Sequence, residues 1–136
     1  MKIEEQVLSI EKMKHLQELG VDTSDASMCW LDFEDNEPME VAVFIPEVMI
    51  GYAQCKLYPT YTTGDLLEKL PKNINSLNYT RLVIEGKENS HWWLAYKDLY
   101  DYAESGYFNS KSLLTILYDS LCWVAENHKE LLEVKK

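Results

Sequence analysis

The run Asp32-Phe33-Glu34-Asp35-Asn36-Glu37 sets oxygen-bearing side chains at the alternate positions 32, 34 and 36, the arrangement in which carboxylates converge on a hard cation. A calcium loop of the form D-x-[DN]-x-[DN]-G also needs a glycine at its sharp turn and a glutamate at position twelve. Glu37 occupies the glycine position and Val43 the twelfth. The run therefore reads as a solvated acidic loop, and no metal ion is expected there.

Cys29, Cys55 and Cys122 are the candidate thiol nucleophiles, and a thiol nucleophile needs a neighbouring base, for which His15, His91 and His128 are the only imidazoles. No local signature pairs any of them. Cys29 falls in a β-prone run and Cys122 in an apolar helix, so the thiols are expected to be reduced and Cys122 at least to be buried. Their odd number, wide spacing and lack of any C-x-x-C speak against a disulfide framework or a zinc ribbon. Phosphate-cradling, nucleophile-elbow and zincin motifs are all missing. The balance is against an enzyme, and no catalytic, cofactor-binding or metal-ligating residue is assigned.

Aromatic side chains are the more promising chemistry: Trp30, Trp92, Trp93, Trp123 and nine tyrosines. Trp92 and Trp93 are adjacent, so in a strand they point to opposite faces and one of them can lie outward. Exposed Trp and Tyr suit protein interfaces because they bury a large area yet keep a polar handle. Arg81 is the single arginine, which makes bidentate phosphate or carboxylate recognition sparse.

The net charge of −10 is concentrated. Residues 15–55 contain nine acids (Glu18, Asp22, Asp25, Asp32, Glu34, Asp35, Glu37, Glu40 and Glu47) and no lysine or arginine. Such a segment repels nucleic-acid phosphates and anionic membrane, so direct binding to either is not expected. The leading reading is a protein-binding or accessory module whose interaction surface includes Asp32, Glu34, Asp35, Glu37, Glu40 and Trp92. Two alternatives stand beside it: an acidic nucleic-acid mimic that occupies the groove of a DNA-binding or defence protein, and a small-ligand-binding domain or enzyme with a Trp- and Tyr-lined cleft served by His91.

The elements that must position these residues follow from periodicity. Ile3, Val7, Ile10, Met13, Leu16 and Leu19 form one stripe of a helix that ends at Gly20. Met28–Phe33 and Glu40–Ile45 read as a hairpin with Cys29, Leu31 and Phe33 on one face, opposed by Val41, Val43 and Ile45. Within 47–58, Met49-Ile50-Gly51-Tyr52 fits either the end of a short helix or the start of a strand; an extended segment through Tyr58 is the preferred reading. Thr62-Thr63-Gly64-Asp65 is a capping box ahead of Leu66, Leu67 and Leu70, stopped by Pro71. Tyr79–Glu85 and Ser90–Lys97 flank the turn Gly86–Asn89 as a second hairpin. Ser110 is placed as the cap of a long helix with Leu113, Leu114, Leu117, Leu121 and Val124 facing the core.

The segments 13–24, 61–71 and 117–127 resemble those of a family of small uncharacterised proteins from gut anaerobes and their phage-derived or mobile elements. That resemblance implies a genomic setting and brings no activity, cofactor or site residue. The residues themselves predict one α+β domain over 1–136, with an antiparallel sheet of about four or five strands built from hairpins and the N-terminal and C-terminal helices packed on one face. The interrupted apolar character of the first residues and the lack of a membrane-length apolar run predict a cytoplasmic protein.

Overall fold

Ser9 begins the first helix: its Oγ accepts the Lys12 N–H at 3.2 Å, satisfying one of the unpaired donors of the opening turn. The computed structural model describes residues 5–33, 38–45, 55–74, 80–87 and 91–132, and in it helix α1 spans Ile10–Glu18. The predicted helix takes in Val7, which lies ahead of the observed start, while Ile3 lies outside the described residues. Val7 instead pairs in a β-bridge with Thr62, and the Leu8 N–H donates to the Tyr61 carbonyl at 3.0 Å, so this stretch is held by backbone pairing that a helix would forbid. Met13 and Leu16 are the buried positions of α1, and Gly20, at φ +90°, ends it in the left-handed region as expected.

The chain divides into two compact units, Met1–Asp65 and Leu66–Lys136. In the first, strands β1 (Met28–Asp32), β2 (Glu40–Val43) and β3 (Lys56–Thr60) form an antiparallel sheet in the order β2-β1-β3. The hairpin exists, but its faces differ from the prediction. Cys29 pairs with Ala42 and Leu31 with Glu40, so Ala42 and Phe44, not Val41, Val43 and Ile45, join Cys29 and Leu31 in a small core with Cys55 and Leu57. A one-residue change of register exchanges the two faces of a strand, and Val43 is accordingly 58% exposed. The extended reading holds for β3; residues 46–54, including Met49–Tyr52, lie outside the described residues.

Helix α2 (Thr63–Lys69) carries the capping box in full: Thr62 Oγ1 accepts the Asp65 N–H at 3.1 Å and Asp65 Oδ2 accepts the Thr62 N–H at 2.9 Å. The unit boundary falls inside this helix, so no change of composition marks it.

The second unit holds the sheet β4-β5-β6, again antiparallel, from Thr80–Lys87, His91–Asp98 and Glu104–Ser110. Strand β4 runs through Gly86 to Lys87, past the predicted turn start. Helix α3 (Leu113–Asn127) packs on β5 and β6 and is followed by a 3-10 turn, Lys129–Leu132. Its cap is Ser112, whose Oγ accepts the Thr115 N–H at 3.2 Å; the Oγ of Ser110 accepts the Ser112 N–H instead. Leu117, Leu121 and Val124 are fully buried as predicted, together with Ile116, whereas Leu113 and Leu114 are only half-buried because they lie in the first turn.

The α+β class and the antiparallel pairing therefore stand, but the described residues form two three-stranded sheets rather than one of four or five strands. The terminal helices do not share a face of one sheet: α1 lies against β3, and α3 against β5 and β6. Among the described residues no helix is long and apolar enough to cross a membrane.

Candidate functional site

Strand β5 ends at Asp98 and β6 starts at Glu104, and the turn between them is built by the Asp98 side chain. Asp98 Oδ1 accepts the N–H groups of Tyr100 at 2.8 Å and Asp101 at 3.2 Å. The Tyr102 N–H donates to the Asp98 carbonyl at 3.1 Å, the Asp98 N–H to the Ala103 carbonyl at 2.8 Å, and the Ala103 N–H to Asp101 Oδ1 at 2.9 Å. With its backbone groups so paired, the turn needs no apolar burial to hold its shape.

It nevertheless carries large side chains outward. Tyr100 is 72% and Tyr102 69% exposed, as is Leu99 in the same turn at 42%; Tyr107 in β6 is also exposed. Tyr102 sits at φ +60°, the one non-glycine residue in the left-handed region among the described residues. That region disfavours a bulky side chain by roughly 1–2 kcal/mol. A glycine or asparagine would fit the position better, so local stability does not account for a tyrosine there.

The charges of the turn are of one sign. Asp98, Asp101 and Glu104 contribute three carboxylates between residues 98 and 104, with no lysine or arginine among them. The N–H groups of Tyr100 and then Asp101 hold the Asp98 carboxyl below the usual carboxylate range, because hydrogen bonds to the ionised form favour it. The nearest cation in sequence, Lys97, places its Nζ 5.5 Å from the Tyr102 ring centre, within cation–π range.

Beside the turn lies an open cleft of about 330 Å³. Asp98, Ala103 and Ser105 form its sheet side, Ile74 and Thr80 a second wall, and Trp123 and His128 the helix side. The walls are fixed from several directions. Thr80 Oγ1 accepts the Ile74 N–H at 2.9 Å, Trp123 stacks on Tyr96 with ring centres 5.9 Å apart, and His128 lies 5.1 Å from Trp123. Tyr96 is fully buried, its hydroxyl donating to the Pro71 carbonyl at 2.7 Å. Gly106 permits the close approach of helix and strand: it sits at φ +59° in a bulge of β6, and a Cβ there would be 2.8 Å from Trp123 Cε3.

Of the residues singled out in the sequence, Trp92 is the exposed member of its pair at 36% against 7% for Trp93, which packs edge-on to Tyr107. Asp32 and Glu40 lie on paired strands, Leu31 being the partner of Glu40. Glu34, Asp35 and Glu37 lie outside the described residues. Cys29, not Cys122, is the fully buried thiol; Cys55 and Cys122 are half-buried, and none of the three is in a disulfide. Burial, and next the neighbouring Cys55, push the Cys29 thiol up, away from the thiolate form. Among the described residues no group of three or more His, Cys, Asp or Glu side chains is placed to hold a metal ion. The sequence showed Tyr100, Tyr102 and Tyr107 only as members of its nine tyrosines. The alternation of Asp and Tyr in Asp98–Tyr102, closed by Ala103, was the available sign of a turn that displays aromatics.

Comparison with protein-family models, with curated proteins and with solved structures finds no match for this chain.

Proposed function

We propose that the protein is a binding module that engages a cationic segment of a protein partner through the Asp98–Glu104 turn. The observation that carries this reading is Tyr102, a 69% exposed tyrosine held at a left-handed backbone position. Non-glycine residues in such conformations persist where the surroundings over-determine them, and they concentrate at binding sites. The sign of the partner follows from the charge: three carboxylates interleave with the tyrosines, and the chain as a whole carries −10. Acidic residues such as Asp32 and Glu40 add to long-range attraction, and the exposed rings supply the short-range contact. Lysine and arginine side chains stack on tyrosine faces, as Lys97 already does within the chain.

Selection of displayed random peptides against the full chain tests the reading. Enrichment of lysine- or arginine-rich peptides, lost in the Tyr100→Ser/Tyr102→Gly double variant and weakened as salt rises, is the expected result. Enrichment of neutral or acidic peptides, or basic peptides that bind the double variant equally well, would overturn it.

A further inference from the structure

We infer that the cleft beside the turn is an anchoring subsite for one lysine or arginine head group, with the Asp98 carboxylate as its counter-ion and Trp123 as an aromatic wall. This rests on the reading of the turn as a surface for cationic segments and adds where the cation is held. Three features of the cleft agree on that chemistry.

The first is size. About 330 Å³ is at the small end of the roughly 300–1,000 Å³ typical of ligand sites. It suits a single side chain or a fragment of similar bulk. The second is charge. Among the described residues Asp98 is the one carboxylate in the lining, and no lysine or arginine lines it, so a cation entering meets the Asp98 anion. Both N–H contacts of Asp98 from the turn fall on Oδ1. The carboxylate is thereby fixed in place without its other oxygen being consumed by those bonds.

The third is the surrounding chemistry. Ser105 and Thr80 bring hydroxyl groups that can accept hydrogen bonds from an ammonium or guanidinium, which has donors and no acceptor. Trp123, supported by Tyr96 behind it, brings an indole ring, the side chain with the strongest attraction for cations. An anionic ligand would face the Asp98 carboxylate with no lysine or arginine among the described lining residues to offset it. A neutral apolar ligand would take the Asp98 carboxylate out of water without offering it a hydrogen bond in return.

The experiment uses n-propylguanidinium and its uncharged analogue n-propylurea as probes, titrated into the full-length protein while backbone and indole N–H resonances are followed by NMR. Saturable shifts at Ser105, the Trp123 indole and His128, with a dissociation constant of roughly 1–10 mM for so small a probe, are expected for n-propylguanidinium alone. Asp98→Asn, which keeps an oxygen to accept the turn N–H groups, should weaken that binding at least tenfold. Ala103→Leu, at an exposed position that leaves the carboxylate in place, should block it by filling the cleft. Shifts of equal size from n-propylurea, no saturable shift at the cleft residues, or full binding by Asp98→Asn would each overturn the assignment. The failure is separable from that of the parent reading. Basic peptides that still require Tyr100 and Tyr102, with no probe response in the cleft, refute the subsite alone; a cleft response with no peptide dependence on the tyrosines refutes the turn surface.

Discussion

The Lys97 ammonium lies 5.5 Å from the centre of the ring of Tyr102, a residue of the turn that joins β5 to β6. An exposed pair of this kind contributes only about 0.5–1 kcal/mol, comparable to the cost of holding a tyrosine at positive φ. Tyr102→Gly should therefore leave stability unchanged or raise it by up to about 1 kcal/mol, since glycine adopts this backbone without strain but loosens the unfolded chain. Denaturant midpoints of the two proteins check this. A loss well above 1 kcal/mol would mean that packing, not recognition, keeps the tyrosine.

Gly106 presents the opposite case. A Cβ there meets the Trp123 ring at 2.8 Å, and the backbone is left-handed at φ +59°. Gly106→Ala should cost about 2–4 kcal/mol, from overpacking of about 1–3 and backbone strain of roughly 1. Gly64→Ala is the control, because its nearest neighbour, Thr62 Oγ1, is at an ordinary 3.7 Å. Chemical denaturation of both variants should give a large loss for the first and a change within about half a kcal/mol for the second.

Asp65 does more than complete a capping box. Its Oδ2 also accepts from the Ser27 N–H at 3.2 Å and from the Ser27 hydroxyl at 2.7 Å, tying the start of α2 to the residue before β1. Thr62→Ala should cost about 1 kcal/mol, the usual value of a lost cap. Asp65→Ala should cost more, about 2 kcal/mol, because three donors lose their acceptor together. Equal losses in the two variants would show that the Ser27 bonds add nothing.

The Tyr61 hydroxyl lies 2.6 Å from Asp25 Oδ1 and 2.9 Å from the Asp22 carbonyl, and its side chain is buried. Burial, then the hydrogen bond to Asp25 and the charges of Asp25, Asp22 and Asp65, push its pKa well above the ordinary value near 10. A folded pKa above the unfolded one means that the folded state keeps a proton the unfolded state has released. The associated stability is complete below about pH 10 and falls as pH rises beyond it. Tyr96, raised by burial, acts in the same direction. Circular dichroism between pH 8 and pH 12, ordinary alkaline conditions for tyrosine ionisation, should show unfolding only on the alkaline limb, with a shallower limb in Tyr61→Phe. Identical limbs in the two proteins would contradict this assignment.

Where structure was local, the sequence disclosed it. The Thr62–Asp65 box, the apolar runs Leu82–Ile84 and Leu94–Tyr96, and the apolar stripe of 117, 121 and 124 each lie within one element and needed no partner to be read. Strand β6 was missed because Glu-Ser-Gly-Tyr-Phe-Asn-Ser lacks alternation of apolar residues and contains the glycine of its bulge. The assignment of strands to two sheets was equally hidden: β3 pairs with β1 across a long intervening segment, a choice that no local pattern encodes. The site depended on both failures. Its cleft draws on residues from 74 to 128, and the positive φ of Tyr102 leaves no trace in residue type.

The most direct measurement of the central claim is a map, by backbone N–H chemical shifts, of where a lysine- and arginine-rich peptide binds the full chain. The account predicts that the largest shifts fall on residues 98–107 and that they vanish with the Tyr100→Ser/Tyr102→Gly variant, although the net charge of −10 is unchanged. Shifts centred on the acidic residues of 15–45, and retained in the variant, would show that net charge alone attracts the peptide and would contradict the role assigned to the turn.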